Sequence, residues 1–300
     1  MRRIIILIIT TALFTTGCGF NNLDETQEDK KAISIIVSIE PQKTFVEKVT
    51  EDLVDINVVI PQGYSPANYQ PSPREIQDIS NGHSYFSIGV ESEKAFIIPK
   101  LKDLNKDIEL IDLQEKVKEK YELIYIEEEH NKDHNHDEGD VDPHIWLSPS
   151  RVIIIVEAIR DYMVEVDPTN KSQYIDNAEE YIIELKKLDQ VLRSTFKELD
   201  KKAFIIYHPA FSYFAKDYGL EMITIEEDGK EATAIRIQNV VDFAKNNDIK
   251  VVFYQDEFDS NQAKIIANEI GGEVVEVSPL SGDYINNMYE IRDKFNKVLK

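Results

Sequence analysis

Two histidines occupy segments that can hold an imidazole in a defined position. His144 lies in VDPHIWLSPS, where Pro143 restricts the preceding backbone to extended conformations and the apolar IWL run can bury the loop. The Ser-Pro pair that follows is typical of a helix start, with Ser148 as N-cap and Pro149 as first helical residue. His208 lies in IYHPAF, directly after a predicted strand and before a predicted helix.

Imidazole nitrogens are common ligands of zinc and related divalent ions. If His144 and His208 come from two parts of the fold and meet across a cleft, they would share one ion. The alternative for His144 is a partly buried loop histidine bonded to backbone.

A carboxylate is the third candidate ligand. Asp283 lies in SGDY, at another predicted strand-to-helix turn. Its oxygens would suit a divalent ion, but the same position favours an N-cap of the following helix, and both interpretations stay open.

An acidic tract, EEEHNKDHNHDEGDVD, runs from residue 127 to 142 and holds His130, His134 and His136. It lacks apolar residues that could pack, so we predict a mobile loop whose histidines bind metal loosely. A solvated insertion without a metal role is the alternative.

Alternating elements must position these residues. From Ile33 onward, short β-branched runs alternate with amphipathic stretches, a pattern typical of βαβ units with a mostly parallel sheet. The predicted strands are 34–39, 55–60, 85–89, 107–113, 203–207, 220–225, 251–254 and 273–277. Ligands of such sheets bind at the carboxyl ends of the strands.

One long amphipathic helix is predicted from residue 170 to 199, where apolar or small side chains recur every three or four residues. We therefore predict an α/β protein of two lobes, at 33–168 and 201–300, joined by this rigid helix at 169–200.

The charge balance bears on the class of ligand. With 34 basic and 56 acidic residues, the net charge of -22 argues against a nucleic-acid partner. A cationic ligand is the more natural partner, although acidity can also serve solubility alone.

The amino-terminal sequence predicts export. Residues 1–17 combine a charged start with a short apolar core, as in a signal peptide, and Cys18, the single cysteine, stands where a bacterial lipoprotein would be cleaved and lipidated. Residues 18–32 read as a polar tether.

The motifs together resemble a known family. PQGYSP with YQPSP, then DPHIWLSP, YHPAF and GDY, resemble the zinc/manganese solute-binding proteins of bacterial and archaeal ABC transporters, over residues 33–300. This resemblance implies two (β/α) lobes, one long helix and one divalent ion in the cleft. It matches His144, His208 and Asp283 to three of the four ligand positions.

The fourth ligand position departs from the family. Ala67 stands where the family usually has a histidine, and a methyl group cannot bind metal. Asn68 or Gln70 would offer a carbonyl oxygen instead; the histidines of the acidic tract or a water molecule are further alternatives.

The favoured function is therefore an extracytoplasmic, lipid-anchored and monomeric receptor. It would capture zinc, or else manganese or a chelated metal, and deliver it to a membrane permease. A zinc-dependent hydrolase with an open coordination position is the alternative from a different class. Its acidic candidates, Glu226, Glu227 and Glu257, cannot be placed near the ion from sequence. A surface adhesin of the same fold is the third interpretation.

Overall fold

Two four-stranded parallel sheets organise the computed structural model, which describes residues 33–126, 140–226 and 231–300. These described residues belong to one compact unit. The strands are β1 (Ser34–Val37), β2 (Asp55–Val58), β3 (Ser84–Ser87), β4 (Glu109–Asp112), β5 (Ala203–Ile206), β6 (Glu221–Thr224), β7 (Val251–Gln255) and β8 (Glu273–Val277). The spatial orders are β2-β1-β3-β4 and β6-β5-β7-β8, so the two sheets share one topology.

Helices connect and cover these strands. They are α1 (Glu40–Thr50), α2 (Pro73–Ile79), α3 (Ile98–Leu104), α4 (Leu113–Lys118), α5 (Pro149–Val166), α6 (Lys171–Lys197), α7 (Ser212–Tyr218), α8 (Ala234–Asn246), α9 (Asn261–Glu269) and α10 (Tyr284–Leu299). The predicted α/β fold class, with two mostly parallel sheets, flanking helices and one long joining helix, is confirmed.

The central strands are apolar because helices cover both faces of each sheet. In β1 the side chains of Ile35, Ile36 and Val37 are fully buried, and Val37 pairs in register with Val58 and Phe86 of the neighbouring strands. This register aligns the carboxyl ends of the strands along one sheet edge.

Helix α6 packs on both halves of the fold. Its 27 residues correspond to about 40 Å, and it contacts α1 and α5 of the first half and α7 and α10 of the second. One stripe of its surface is buried, including Tyr174, Leu185 and Phe196. The long helix predicted from sequence is therefore observed, and a continuous apolar core runs past it between the two halves.

No helix within the described ranges has the length and apolar character needed to cross a membrane.

Candidate metal site

His208 follows β5, the strand at which the strand order of the second sheet reverses. The chain leaves β5 for β6 on one side and returns to β7 on the other, which is the position where parallel sheets place their ligands. The His208 backbone N–H donates to Gln255 Oε1 at 3.2 Å, and Gln255 Nε2 donates to the His208 carbonyl at 2.7 Å. The buried end of β7 thus holds the backbone of His208.

His144 is held by a loop rather than by a sheet strand. It does not follow a strand of the first sheet; the nearest pairing before it is an isolated antiparallel bridge between Tyr125 and Val141. The loop is anchored instead by Trp146, whose indole N–H donates to the Pro279 carbonyl at 3.0 Å and whose carbonyl accepts from Tyr284 Oη at 2.8 Å.

The predicted helix start after this loop is confirmed. The Ser148 side chain accepts from the Arg151 backbone N–H as N-cap, and Pro149 is the first residue of α5. A single 3₁₀ turn, Ile145–Leu147, lies between His144 and this cap, and all three of its side chains are buried. The loop therefore has little freedom to move His144.

Each imidazole has a carboxylate on its Nδ1 side. His144 Nδ1 lies 2.7 Å from Asp142 Oδ1, and His208 Nδ1 lies 2.6 Å from Glu226 Oε2. An ionised carboxylate only accepts hydrogen bonds, so both Nδ1 atoms must carry protons and donate. In the neutral imidazoles, both Nε2 atoms are then left with free lone pairs.

These two Nε2 atoms face each other. The distance from His144 Nε2 to His208 Nε2 is 3.3 Å. Two lone pairs at this separation repel each other unless a proton or a metal ion lies between them. Two nitrogens bound to one tetrahedral zinc at 2.0–2.1 Å stand about 3.3–3.4 Å apart, so the pair has the spacing of two zinc ligands.

Burial favours the neutral form of His208, which is the form that binds metal. It lowers the pKa of His208; the nearby His144 lowers this pKa further, and the Glu226 carboxylate opposes the shift. For Asp142, burial alone would raise the pKa, but the interactions with His144 outweigh it and lower that pKa. A neutral imidazole beside an ionised carboxylate is the state that binds a metal ion.

A cavity of about 610 Å³ opens onto the pair, and both halves of the fold line it. Its wall is largely apolar, with Val90, Ile124 and Leu280 among the lining residues. The Phe258 ring stacks on His208 at a centroid distance of 4.7 Å. Such a wall limits access of water to one side of the pair.

Ala67 also lines this cavity, together with Ser65 and Pro66. The loop after β2 therefore faces the site, as the resemblance implied. Asn68 and Gln70 are exposed and are not among the lining residues.

The three acidic residues that sequence could not place have different locations. Glu226 bonds His208, as described, and Glu257 lines the cavity from the turn after β7. Glu227 lies outside the described residues. Strand ends were the signal for both placed residues, since Glu226 follows β6 and Glu257 follows β7.

The structure does not bring Asp283 to the histidine pair. Its carboxylate is exposed, is not among the cavity-lining residues, and accepts two hydrogen bonds from Asn286 Nδ2, at 3.1 and 3.0 Å. It occupies the N-cap position of α10, although its side chain makes no capping bond.

The described ranges contain no group of three or more His, Cys, Asp or Glu side chains arranged to hold a metal ion. His130, His134 and His136, the predicted loose metal ligands, lie outside these ranges.

Comparison with known proteins decides the family. The model of the family "ZnuA: Zinc-uptake complex component A periplasmic" matches residues 35–298. The chain belongs to this family. The ZnuA-family assignment confirms the resemblance seen in the sequence motifs, and it identifies a solute-binding receptor class rather than a class of enzymes. Family membership thus decides against the hydrolase interpretation.

Individual relatives agree with the ZnuA-family assignment. The high-affinity zinc uptake system protein ZnuA of Bacillus subtilis is 29% identical over 290 residues, which cover 92% of this chain and 88% of that protein. The manganese-binding lipoprotein MntA of Halalkalibacterium halodurans is 25% identical over 272 residues, covering 89% and 85%. A crystal structure of ZnuA superposes with a TM-score of 0.82 at 33% identity, covering 90% of this chain and 100% of that one.

Proposed function

We propose that this chain is the extracytoplasmic receptor of an ABC transporter, which captures one divalent metal ion and delivers it to the membrane permease. The observation that carries the proposal is the pair of Nε2 atoms 3.3 Å apart, each on a ring whose Nδ1 is bonded to a carboxylate. In this arrangement the lone pairs of both Nε2 atoms are directed at one position, where a cation would bind to both nitrogens.

His144 and His208 are the two protein ligands that the proposal rests on. Asp283 is left out because its carboxylate is exposed and already accepts two hydrogen bonds from Asn286.

Zinc is the favoured cargo. Imidazole ligands suit zinc, whereas a site dominated by carboxylate and carbonyl oxygens would suit manganese. The relatives named for zinc and for manganese support both ions as cargo of this kind of site.

The proposal includes a lipid anchor at Cys18 and a monomeric state. The anchor is supported by the cysteine at the end of the signal-like segment and by the lipoprotein named among the relatives. Cys18 lies outside the described residues. One acyl chain binds a membrane only marginally, so stable anchoring would require more than one.

Zinc affinity in single variants tests the receptor function. Replacing His144→Ala or His208→Ala should each weaken zinc binding at least about tenfold, or roughly 1.4 kcal/mol, measured by competition with a chelator of known affinity. His83→Ala is the matched control, because His83 is exposed and its Nδ1 accepts from the Ser34 backbone N–H, away from the cavity. Wild-type affinity in both site variants would refute the proposed function.

A further inference from the structure

Two imidazoles alone leave a zinc ion short of ligands. Zinc in proteins is almost always four-coordinate, and neither Ala67 nor Asp283 brings a donor atom to the pair. Within the described ranges, a further donor must therefore come from another residue on the cavity wall; solvent or the cargo itself would be the other sources.

Glu257 is placed to be such a donor. It lies in the turn between β7 and α9 and lines the cavity that also contains His144 and His208. The next residue, Phe258, stacks its ring on His208 with an interplanar angle of 22°. Glu257 is therefore attached to a residue that touches one of the two proposed ligands.

One oxygen of this carboxylate has no partner. Glu257 Oε2 is buried, and it has no hydrogen-bond partner within the part of the chain that the structure describes. Burying an unpaired carboxylate oxygen is costly, so native proteins normally pair such groups with donors or metal ions.

A divalent ion would supply the missing partner. Carboxylate oxygens bind zinc at about 2.0–2.2 Å, so a glutamate is an ordinary companion to two histidines. Within the described ranges, no acidic side chain, Glu257 included, is already grouped with the two histidines around one point. Ligation therefore requires the Glu257 side chain to turn toward the ion. This rotation of the Glu257 side chain breaks no hydrogen bond of Oε2, because that atom makes none within the described residues.

We infer that Glu257 is a third protein ligand, which contributes a carboxylate oxygen to the ion bound between His144 and His208. This inference rests on the proposed function of the same site. It leaves one coordination position for a further donor.

The test compares two carboxylates of the same turn. Glu257→Gln removes the charge of the inferred ligand and keeps its size, whereas Asp259→Asn removes an equal charge two residues away. Asp259 is exposed, is not among the cavity-lining residues, and accepts a hydrogen bond from the Asn261 backbone N–H at 2.8 Å. Zinc competition titrations should show affinity at least about tenfold weaker for Glu257→Gln, and nearly unchanged affinity for Asp259→Asn.

A structural measurement separates ligation from loss of charge or of folding. Crystals of the wild type grown with zinc should show a Glu257 carboxylate oxygen about 2.0–2.2 Å from the ion. The thermal unfolding midpoint of each variant without zinc identifies any misfolded protein.

The outcomes distinguish the two claims. If Glu257→Gln binds zinc as tightly as the wild type while His208→Ala does not, the third ligand is refuted and the receptor site stands. Equal weakening in Glu257→Gln and Asp259→Asn, or a bound zinc ion without a Glu257 oxygen among its ligands, would also overturn the inference. If the histidine variants bind normally as well, the proposed function itself is wrong.

Discussion

The imidazoles of His144 and His208 each use their two nitrogens for different purposes. Nδ1 donates to a nearly buried carboxylate, Asp142 in one case and Glu226 in the other, and Nε2 points at the opposite ring. The carboxylate determines which nitrogen carries the proton, orients the ring and increases the basicity of Nε2. Two negative charges also stand behind the position that a cation would take.

Removing either carboxylate should weaken metal binding without removing a ligand. Glu226→Gln and Asp142→Asn keep the shape of the side chain but withdraw negative charge, and partners of this kind typically contribute 10–100-fold in metal affinity. We expect zinc affinity to fall by about tenfold or more in each variant, measured by competition titration.

Glu276→Gln provides the control for this substitution. Glu276 lies in the same half of the fold, is exposed and accepts a hydrogen bond from Tyr254. Equal affinity in Glu226→Gln, Asp142→Asn and Glu276→Gln would show that the carboxylates do not act through the imidazoles.

The residues next to each histidine in the sequence identified the two candidate ligands, but they did not identify the carboxylates that contact them. Pro143 and the IWL run made His144 recognisable, because they act on the residues next to it. The contact between His208 and Glu226 joins the ends of two strands, β5 and β6, and depends on the sheet order. Asp283 resembled a ligand for the same reason that it resembles a cap, since a short acidic residue before a helix suits both.

Among the elements, the loops at the carboxyl ends of the strands carry the site. The loop after β2 brings Ala67 to the cavity, the turn after β5 brings His208, and the turn after β7 brings Glu257. The loop of His144 is the exception, because buried aromatic and hydrogen-bonding contacts hold it instead of a strand.

Adding a donor to the loop after β2 should strengthen the site. Ala67→His places an imidazole on the cavity wall, where it can close a tetrahedral shell, so we expect tighter zinc binding in competition titrations. Asn68→His is the matched control, since Asn68 is adjacent but not among the lining residues. Unchanged affinity in Ala67→His, or an equal gain in both variants, would contradict this account of the loop.

The strands were predictable where hydrophobic runs were short and bounded, and all eight predicted strands are observed within the described ranges. Helix α4 was not predicted. Its first residue, Leu113, reads as the end of the preceding β-branched run, whereas the Asp112 side chain accepts from the Glu115 backbone N–H and starts a helix there. A helix of six residues has too little periodicity to show in sequence.

At the scale of the whole molecule, the site forms because contacts between the two halves hold His144 next to His208. His144 and His208 are 64 residues apart in sequence, with α5 and α6 between them. Contacts between the halves include the Trp146 bond to Pro279 and the Thr44 hydroxyl, which donates to the Gly282 carbonyl at 2.5 Å. The sequence predicted two lobes and a rigid helix. The orientation of the two imidazoles, with their Nε2 atoms facing each other, results from packing of the whole core and could not be predicted from local sequence.

Anomalous diffraction from crystals grown with zinc, recorded at the zinc absorption edge, tests the central claim most directly. The account predicts one dominant peak between the two rings, about 2.0–2.1 Å from Nε2 of both His144 and His208. A dominant peak bound to only one of these histidines, or located away from both, would contradict it.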